Sequence, residues 1–414
     1  MDLLVTDARV VTCDGPEGAT GLQRLGLIDR GAVGIAGGRI AYVGSTADAP
    51  GEAKETIDAA GRVLLPGLVD PHTHIVFAGS RVDEFARRMA GEDYRKIAAE
   101  GGGIPSTVHA TRDADEGDLF DGAAARARAF AGHGVTSCEV KSGYGLTTRD
   151  ETRMLRVARR LDVEGIIRTT TSFLGAHAVP PEMRDSRRAY VDQVVDEQLP
   201  AVVREGLADA CDVYCDDGAF TLDETRRILE AAQAAGLKVR GHVGQFADLR
   251  GAELLGELGG LSADHLEEVS DEGLAAMARA GVVAVLLPGA WRTLRQRPPD
   301  VARIRAAGVR MAIGTDCNPG TSPCTDLPLC AALAVRDAGM TLEEAVLGVT
   351  AAAARAAGLE DVGRIAPGSR GDLAIYDHED PRALGYALGG VRAFRTVLGG
   401  RTVYRGGSAD AAVW

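Results

Sequence analysis

Leu64-Leu65-Pro66-Gly67-Leu68-Val69-Asp70-Pro71-His72-Thr73-His74 is a short apolar run that ends in two histidines one residue apart. The run reads as a buried strand over 63–69. Strand pleat puts residues i and i+2 on one face, so both imidazoles leave the strand end in the same direction. Two neutral imidazoles on one face chelate borderline divalent ions such as zinc, iron, cobalt or nickel, provided that distant parts of the chain bring further ligands. Taken alone, the pair reads equally well as two solvated histidines in a loop. The rest of the chain decides between the two.

Downstream, helical stretches rich in Ala, Arg and Glu alternate with strand-like runs at 63–69, 134–140, 166–173, 211–215, 237–242, 261–264, 281–287 and 310–315. That alternation builds a parallel sheet with crossover helices. Eight β/α units between 63 and 360 predict an α/β protein with a (β/α)8 TIM-like barrel, whose functional groups gather at the C-terminal strand ends. An open doubly wound sheet is the alternative, but no glycine-rich phosphate fingerprint follows the first strand. Residues 1–62 and 361–414 show short β-like runs between turns, among them Arg39-Ile40-Ala41-Tyr42-Val43 and Asp372-Leu373-Ala374-Ile375-Tyr376. Both chain ends are expected to form one small composite β-sandwich domain.

The 414 residues accommodate both units, with 45% hydrophobic and 25% charged residues, as in soluble globular proteins. No apolar run approaches the roughly 20 residues that span a bilayer. Met1-Asp2-Leu3-Leu4-Val5-Thr6-Asp7 lacks a basic segment followed by a long apolar one, and a cytoplasmic location is expected. Seven scattered cysteines suit reduced thiols. Cys211 and Cys215 have the spacing of a metal knuckle, but the alternation around them reads as a strand with buried thiols. A formal charge of −13 argues against nucleic acid or an anionic membrane as partner. An anionic substrate needs a local cation.

Polar residues fall at the ends of the expected strands. His72 and His74 follow the first, Lys141, Ser142 and Tyr144 the second, and His177 the third. His242 with Gln245 follows the fifth, His265 the sixth, and Asp316 with Asn318 the eighth. Five of the eight histidines at strand ends of one polarity indicate convergence. His72, His74, His242 and Asp316 are read as metal ligands with room for a water, an arrangement that makes water acidic and polarises a carbonyl beside it. One Asp316 oxygen can touch metal while the other takes the water's proton. His265 is read as hydrogen-bonding the attacking water or an oxyanion, with a structural histidine as the alternative. Lys141, close to Glu139, is readable as a carboxylated lysine bridging two ions, although a mononuclear site satisfies the same ligands.

With these residues in place the chain resembles the amidohydrolase superfamily, and Ala59-Ala60-Gly61-Arg62-Val63-Leu64-Leu65-Pro66-Gly67 looks like its usual approach to the first barrel strand. Within it the chain is most similar to the imidazolonepropionase family. The blocks that carry this are His72 to Arg81, Gly101-Gly102-Gly103-Ile104, Glu139-Val140-Lys141-Ser142-Gly143-Tyr144-Gly145, Phe173-Leu174-Gly175-Ala176-His177 and Thr315-Asp316-Cys317-Asn318-Pro319-Gly320-Thr321. The resemblance implies hydrolysis of 4-imidazolone-5-propanoate to N-formimidoyl-L-glutamate in histidine degradation, with one zinc or iron ion per chain, and a homodimer. It implies that Arg81 takes the propionate carboxylate, that Tyr144 and His177 lie against the ring and carboxylate, and that Asn318, Gly320 and Thr321 contact substrate or product. Tyr94 is expected either to close over the site or to pack, and 101–103 to be a hinge or a turn. Asp316 or His177 is the acid for the leaving nitrogen.

Two departures stand out. Gln245 occupies the position where some relatives have a glutamate. It cannot act as a base, but it can hydrogen-bond the ring, so the proton transfers fall to Asp316 and His265. Pro288-Gly289-Ala290-Trp291-Arg292, after the seventh strand, differs from the family's aromatic spacing and leaves the pocket shape open. The competing readings are another mononuclear amidohydrolase, such as an aminoimidazole or nucleobase deaminase, and a catalytically silent metal-binding relative.

Overall fold

A computed structural model of the chain describes residues 1–16, 18–92 and 102–407. Strands β1 (Leu3–Val11), β2 (Leu27–Ala36), β3 (Arg39–Ser45), β4 (Glu55–Asp58) and β5 (Val63–Pro66) come from the N-terminal part. Eight further strands follow: β6 (Leu68–Thr73), β7 (Val135–Lys141), β8 (Arg168–Ala176), β9 (Ala210–Cys215), β10 (Lys238–Val243), β11 (Ser262–His265), β12 (Val283–Leu286) and β13 (Met311–Ile313). They lie side by side in sequence order, each parallel to the next. The last three are β14 (Leu373–Tyr376), β15 (Ala393–Leu398) and β16 (Arg401–Arg405).

The expected barrel is present, with helices in the crossovers. Several of those helices start at capping side chains: Thr147 accepts from the Asp150 amide, Ser270 from that of Gly273, and Thr221 and Thr341 form capping boxes with Glu224 and Glu344. The two edge strands are joined by the segment after β13. There the Asp316 amide donates to the His72 carbonyl at 3.0 Å, and the His74 amide donates to the Cys317 carbonyl at 3.1 Å. This closure sets Asp316 beside the two histidines. No helix among the described residues is long and apolar enough to cross a membrane.

Both chain ends share one sheet, in the order β16-β15-β14-β5-β1-β2-β3 with β4 beside β1. Its apolar side, including Leu3, Val5, Ile35, Leu64, Leu373, Ile375 and Val397, is a core of its own. The run expected as one strand over 63–69 proves to be two. Val63–Pro66 pairs with β1 and β14, whereas Leu68–Thr73 pairs with β7 in the barrel. The change of sheet falls at Gly67, whose amide donates to the Asp372 carbonyl while the next amide, Leu68, donates to Gly134. Periodicity misses this because the residues on either side of Gly67 are apolar and both strands are fully buried. Gly67 has no room for a side chain, since a Cβ there would stand 2.1 Å from Thr136 Oγ1 and 2.5 Å from its Cγ2. Gly67→Ala is expected to lower the unfolding free energy by about 1–3 kcal/mol, the usual cost of overpacking. Urea unfolding checks this, and adding Thr136→Ala should recover most of the loss.

Candidate metal centre and its cavity

The barrel interior is polar near its C-terminal end. Pleat puts Asp70 and His72 inward from β6, Glu139 and Lys141 from β7, Asp212 from β9, Arg240 and His242 from β10, and Asp264 from β11, all buried. Side chains from alternate strands form layers in such barrels. Here the histidines of β6 and β10 sit over a layer from β7, β9 and β11.

Each of two histidines is held from below by a carboxylate. His72 Nδ1 is 2.6 Å from Asp264 Oδ2, and His242 Nδ1 is 2.9 Å from Asp212 Oδ1. An ionised carboxylate only accepts, so both rings carry their proton on Nδ1 and turn an Nε2 lone pair inward. His72 Nε2 is buried with no hydrogen-bond partner. His242 Nε2 faces His74 Nε2 at 3.4 Å, and Asp316 Oδ1 lies 3.5 Å from both His72 Nε2 and His74 Nε2. Ligand atoms of His72, His74 and His242 all lie within 4.8 Å of one another. Acceptors converging on acceptors in a buried site lack only a cation, and the donor set of imidazoles and one carboxylate fits zinc or iron.

The electrostatics agree with that fit. Burial, reinforced for His72 by Lys141 and for His74 by His177, holds both rings well below the usual histidine range, so they are neutral. Burial pushes the Asp316 carboxyl up to about 6, against the pull of His265 and His242. His265 is also buried, but the Glu267 carboxylate 3.8 Å from its Nδ1, with Asp316 and Asp264, raises its pKa above the usual value. Left-handed backbone at His265 (φ 82°), Leu266 (φ 72°) and Asp316 (φ 50°) marks local strain, a common feature of functional sites.

Lys141 does not bridge ions. Its Nζ is one layer below the imidazoles, 2.7 Å from Asp212 Oδ2, 3.2 Å from Glu139 Oε1 and 3.5 Å from Asp264 Oδ2. Burial opposes its charge, yet Asp212 and Glu139 raise its pKa. Three carboxylates around the nitrogen would repel the anion that carboxylation creates, so the carboxylated-lysine alternative is discarded. The sequence singles out neither Asp212 nor Asp264, and Glu139 only as the neighbour of Lys141. The only signal they give is a single acid on the inward-facing half of a buried strand.

Above this cluster is a cavity of about 760 Å³, lined in part by His74, Arg81, Tyr144, His177, His242, Gln245, His265, Asp316, Asn318 and Thr321. The loops that carry these groups are pinned by buried carboxylates. Glu151 accepts from the amides of Gly143, Gly145 and Leu146 around Tyr144, and Asp216 accepts from those of Gln245, Phe246 and Ala247. Arg81 is largely buried and forks onto Glu84, whose Oε2 also takes the Gly103 amide. Its Nη1 lies over Gly320, where a Cβ would come within 2.4 Å. His177 Nδ1 is 3.0 Å from the Gly143 carbonyl, which fixes its proton there, and burial beside His242 drops its pKa to about 3.

Several expected contacts take another form. Asn318 spends its amide within its own loop: Nδ2 donates to the Asp316 carbonyl and Thr321 Oγ1, and Oδ1 accepts from the Gly320 and Thr321 amides. It braces the Asp316 loop rather than offering a free amide. Gln245 Oε1 accepts from Tyr214 Oη at 2.7 Å. Trp291 is buried with its Nε1 toward Asp337, so it does not shape the cavity, although Leu294 of the same helix does. Cys211 and Cys215 are buried strand residues. Tyr94 and Gly101 lie outside the described residues.

The amidohydrolase family profile matches residues 63–406. Imidazolonepropionase from Rhizorhabdus wittichii is 49% identical over 94% of this chain and 96% of its own length. That from Caulobacter vibrioides is 50% identical over 90% and 93%. The chain belongs to the imidazolonepropionase branch of the amidohydrolase family. Solved structures show the shared amidohydrolase fold at low identity. Klebsiella pneumoniae 5-methylcytosine deaminase matches with a TM-score of 0.72 at 17% identity, over 98% of both chains. Xanthomonas campestris adenosine deaminase with bound zinc matches with a TM-score of 0.70 at 20% identity, over 97% of this chain and 92% of that one.

Proposed function

We propose that this chain hydrolyses 4-imidazolone-5-propanoate to N-formimidoyl-L-glutamate, a ring opening in histidine degradation. The observation that carries the reading is the meeting, in one cavity, of a three-imidazole, one-carboxylate ligand set with a largely buried guanidinium. His72, His74, His242 and Asp316 would hold one zinc or iron ion, and when bound it supplies the Lewis acidity that brings water's pKa toward neutrality and polarises the ring carbonyl.

The side chains account for the remaining steps. Asp316 takes the proton of the attacking water on the oxygen that faces the cavity. The His265 ring, whose pKa Glu267 raises against the effect of burial, offers an N–H to the oxygen that becomes negative when water adds to the carbonyl. The lactam C–N bond then breaks, and the proton held by Asp316 goes to the leaving nitrogen. His177 is the weaker acid for that step, because its single proton is committed to the Gly143 carbonyl. Its Nε2 instead accepts from a ring N–H. Tyr144 packs against the His177 and His74 rings, at centroid distances of 5.3 and 5.7 Å, and forms a wall for the planar imidazolone. Gln245 serves as a hydrogen-bonding amide, and Thr321 and the Gly320 backbone line the end near Arg81.

Arg81 receives the propionate carboxylate on the guanidinium edge that Glu84 leaves open. Arg81→Ala is expected to raise KM about 10–100-fold with a smaller change in kcat, since charge-assisted hydrogen bonds are worth about 1.5–3 kcal/mol. Steady-state kinetics check this, and an unchanged KM would remove Arg81 from the binding site. The activity itself is tested by following loss of imidazolone absorbance, with metal analysis of the same sample. Turnover of an aminoimidazole or nucleobase amine but not of the imidazolone would overturn the reading. A cytoplasmic homodimer belongs to the same proposal, and sedimentation of the purified chain tests the dimer.

A further inference from the structure

The chain contains four lysines, at 54, 96, 141 and 238, against 42 arginines. One of the four is fully buried at the centre of the barrel. Its ammonium has three donors, and three carboxylates surround it: Asp212, Glu139 and Asp264 at 2.7, 3.2 and 3.5 Å. Two of these are the carboxylates that hold His242 and His72 by Nδ1. Asp212 divides its oxygens between the two tasks, with Oδ1 on His242 and Oδ2 on Lys141. Asp264 uses Oδ2 for both His72 and Lys141. Lys141, Asp212 and Asp264 come from β7, β9 and β11, alternate strands that contribute one barrel layer, while the histidines come from β6 and β10.

We propose that Lys141 is a positioning residue for the metal centre: a single point cation that ties the two histidine-orienting carboxylates together, so that the rings of His72 and His242 are set as one unit. The geometry calls for a compact ammonium. A planar guanidinium presents a fork to one carboxylate and cannot place one N–H toward each of three acids around a point. The next cation down, Arg240, touches only Glu139 of this group, with Nη1 3.6 Å from Oε1. Without Lys141, Asp212 and Asp264 would repel one another and swing from the rings they orient. Outer partners of this kind typically change metal affinity about 10–100-fold.

The proposal takes the metal reading of the site as its base, but its test does not depend on which substrate is turned over. Zinc affinity of the metal-free full chain is measured by competition with a chromophoric chelator, alongside thermal unfolding of the same metal-free sample. Lys141→Met is expected to fold and to bind zinc about 10–100-fold more weakly. In a chain that also carries Asp212→Asn and Asp264→Asn, adding Lys141→Met should change affinity less than twofold, because there is nothing left to tie. Zinc affinity within twofold of the unsubstituted chain in the single variant would overturn the proposal, even with a lowered melting temperature, since a lysine that only stabilises the barrel gives that result. A further full loss in the triple variant would overturn it as well. If Lys141→Met does not fold, Lys141→Gln carries the test: its amide reaches one carboxylate, at least a fivefold loss of zinc affinity is expected, and unchanged affinity overturns the proposal. Failure of the unsubstituted chain to bind zinc or iron at all would fall on the metal reading instead.

Discussion

Asp316→Asn is expected to all but abolish turnover, with kcat falling about 10²–10⁴-fold, the range associated with losing a positioned acid-base group. The substitution is close to silent for the backbone. Asp316 sits at φ 50°, a left-handed conformation that asparagine adopts readily, and its amide keeps the bond to the His72 carbonyl. What changes is the proton: a carboxamide cannot take one from water or return it to the leaving nitrogen. The three imidazoles remain, so the variant should still hold a metal ion, though more weakly. Kinetics at saturating metal, with metal content measured on the same protein, separate the two effects. Rates near normal in a fully loaded variant would take Asp316 out of the mechanism.

Removing the metal is expected to have an effect of similar size. A chelator should reduce activity to background, and zinc or iron should restore it with one equivalent per chain. The metal-free site retains an orphaned His72 Nε2 and a carboxyl that burial pushes up to about 6, so nothing in it replaces the ion. Because the ligands meet only in the folded barrel, binding also stabilises the fold. At a free-metal concentration 100 times Kd the gain is about 2.7 kcal/mol, which thermal unfolding at several metal concentrations reads directly. Full activity in demetallated protein, or a melting temperature indifferent to metal, would contradict this.

Much of this arrangement is legible in the sequence, for physical reasons. A histidine at the end of an apolar run declares itself because strand period and barrel polarity leave it one place to go. His72, His74, His177, His242 and His265 do meet, with His72 and His242 rings only 4.5 Å apart between centroids. What supports them is harder to read. Asp212 and Asp264 resemble the polar half of an alternating strand, and only barrel closure turns that half into an interior. Glu151 and Asp216 act on backbone amides, which carry no residue-specific signal. Asn318 reads as a ligand-facing amide until the tight turn at Gly320 is seen to use all of its hydrogen-bonding capacity. Gly67 separates two stretches of the same character, so composition gives no hint that the chain changes sheets there.

The position of β5 has a consequence for how the chain is made. It lies between β1 and β14, and β14 arrives roughly 300 residues later, with the barrel in between. At a synthesis rate of about 5–20 residues per second, the edge of β5 waits some 15–60 s for its neighbour. During translation the N-terminal strands therefore carry an open, apolar edge until β14 emerges to cover it. Nascent chains stalled before residue 373 should accordingly be the ones that chaperones bind and that aggregate when released.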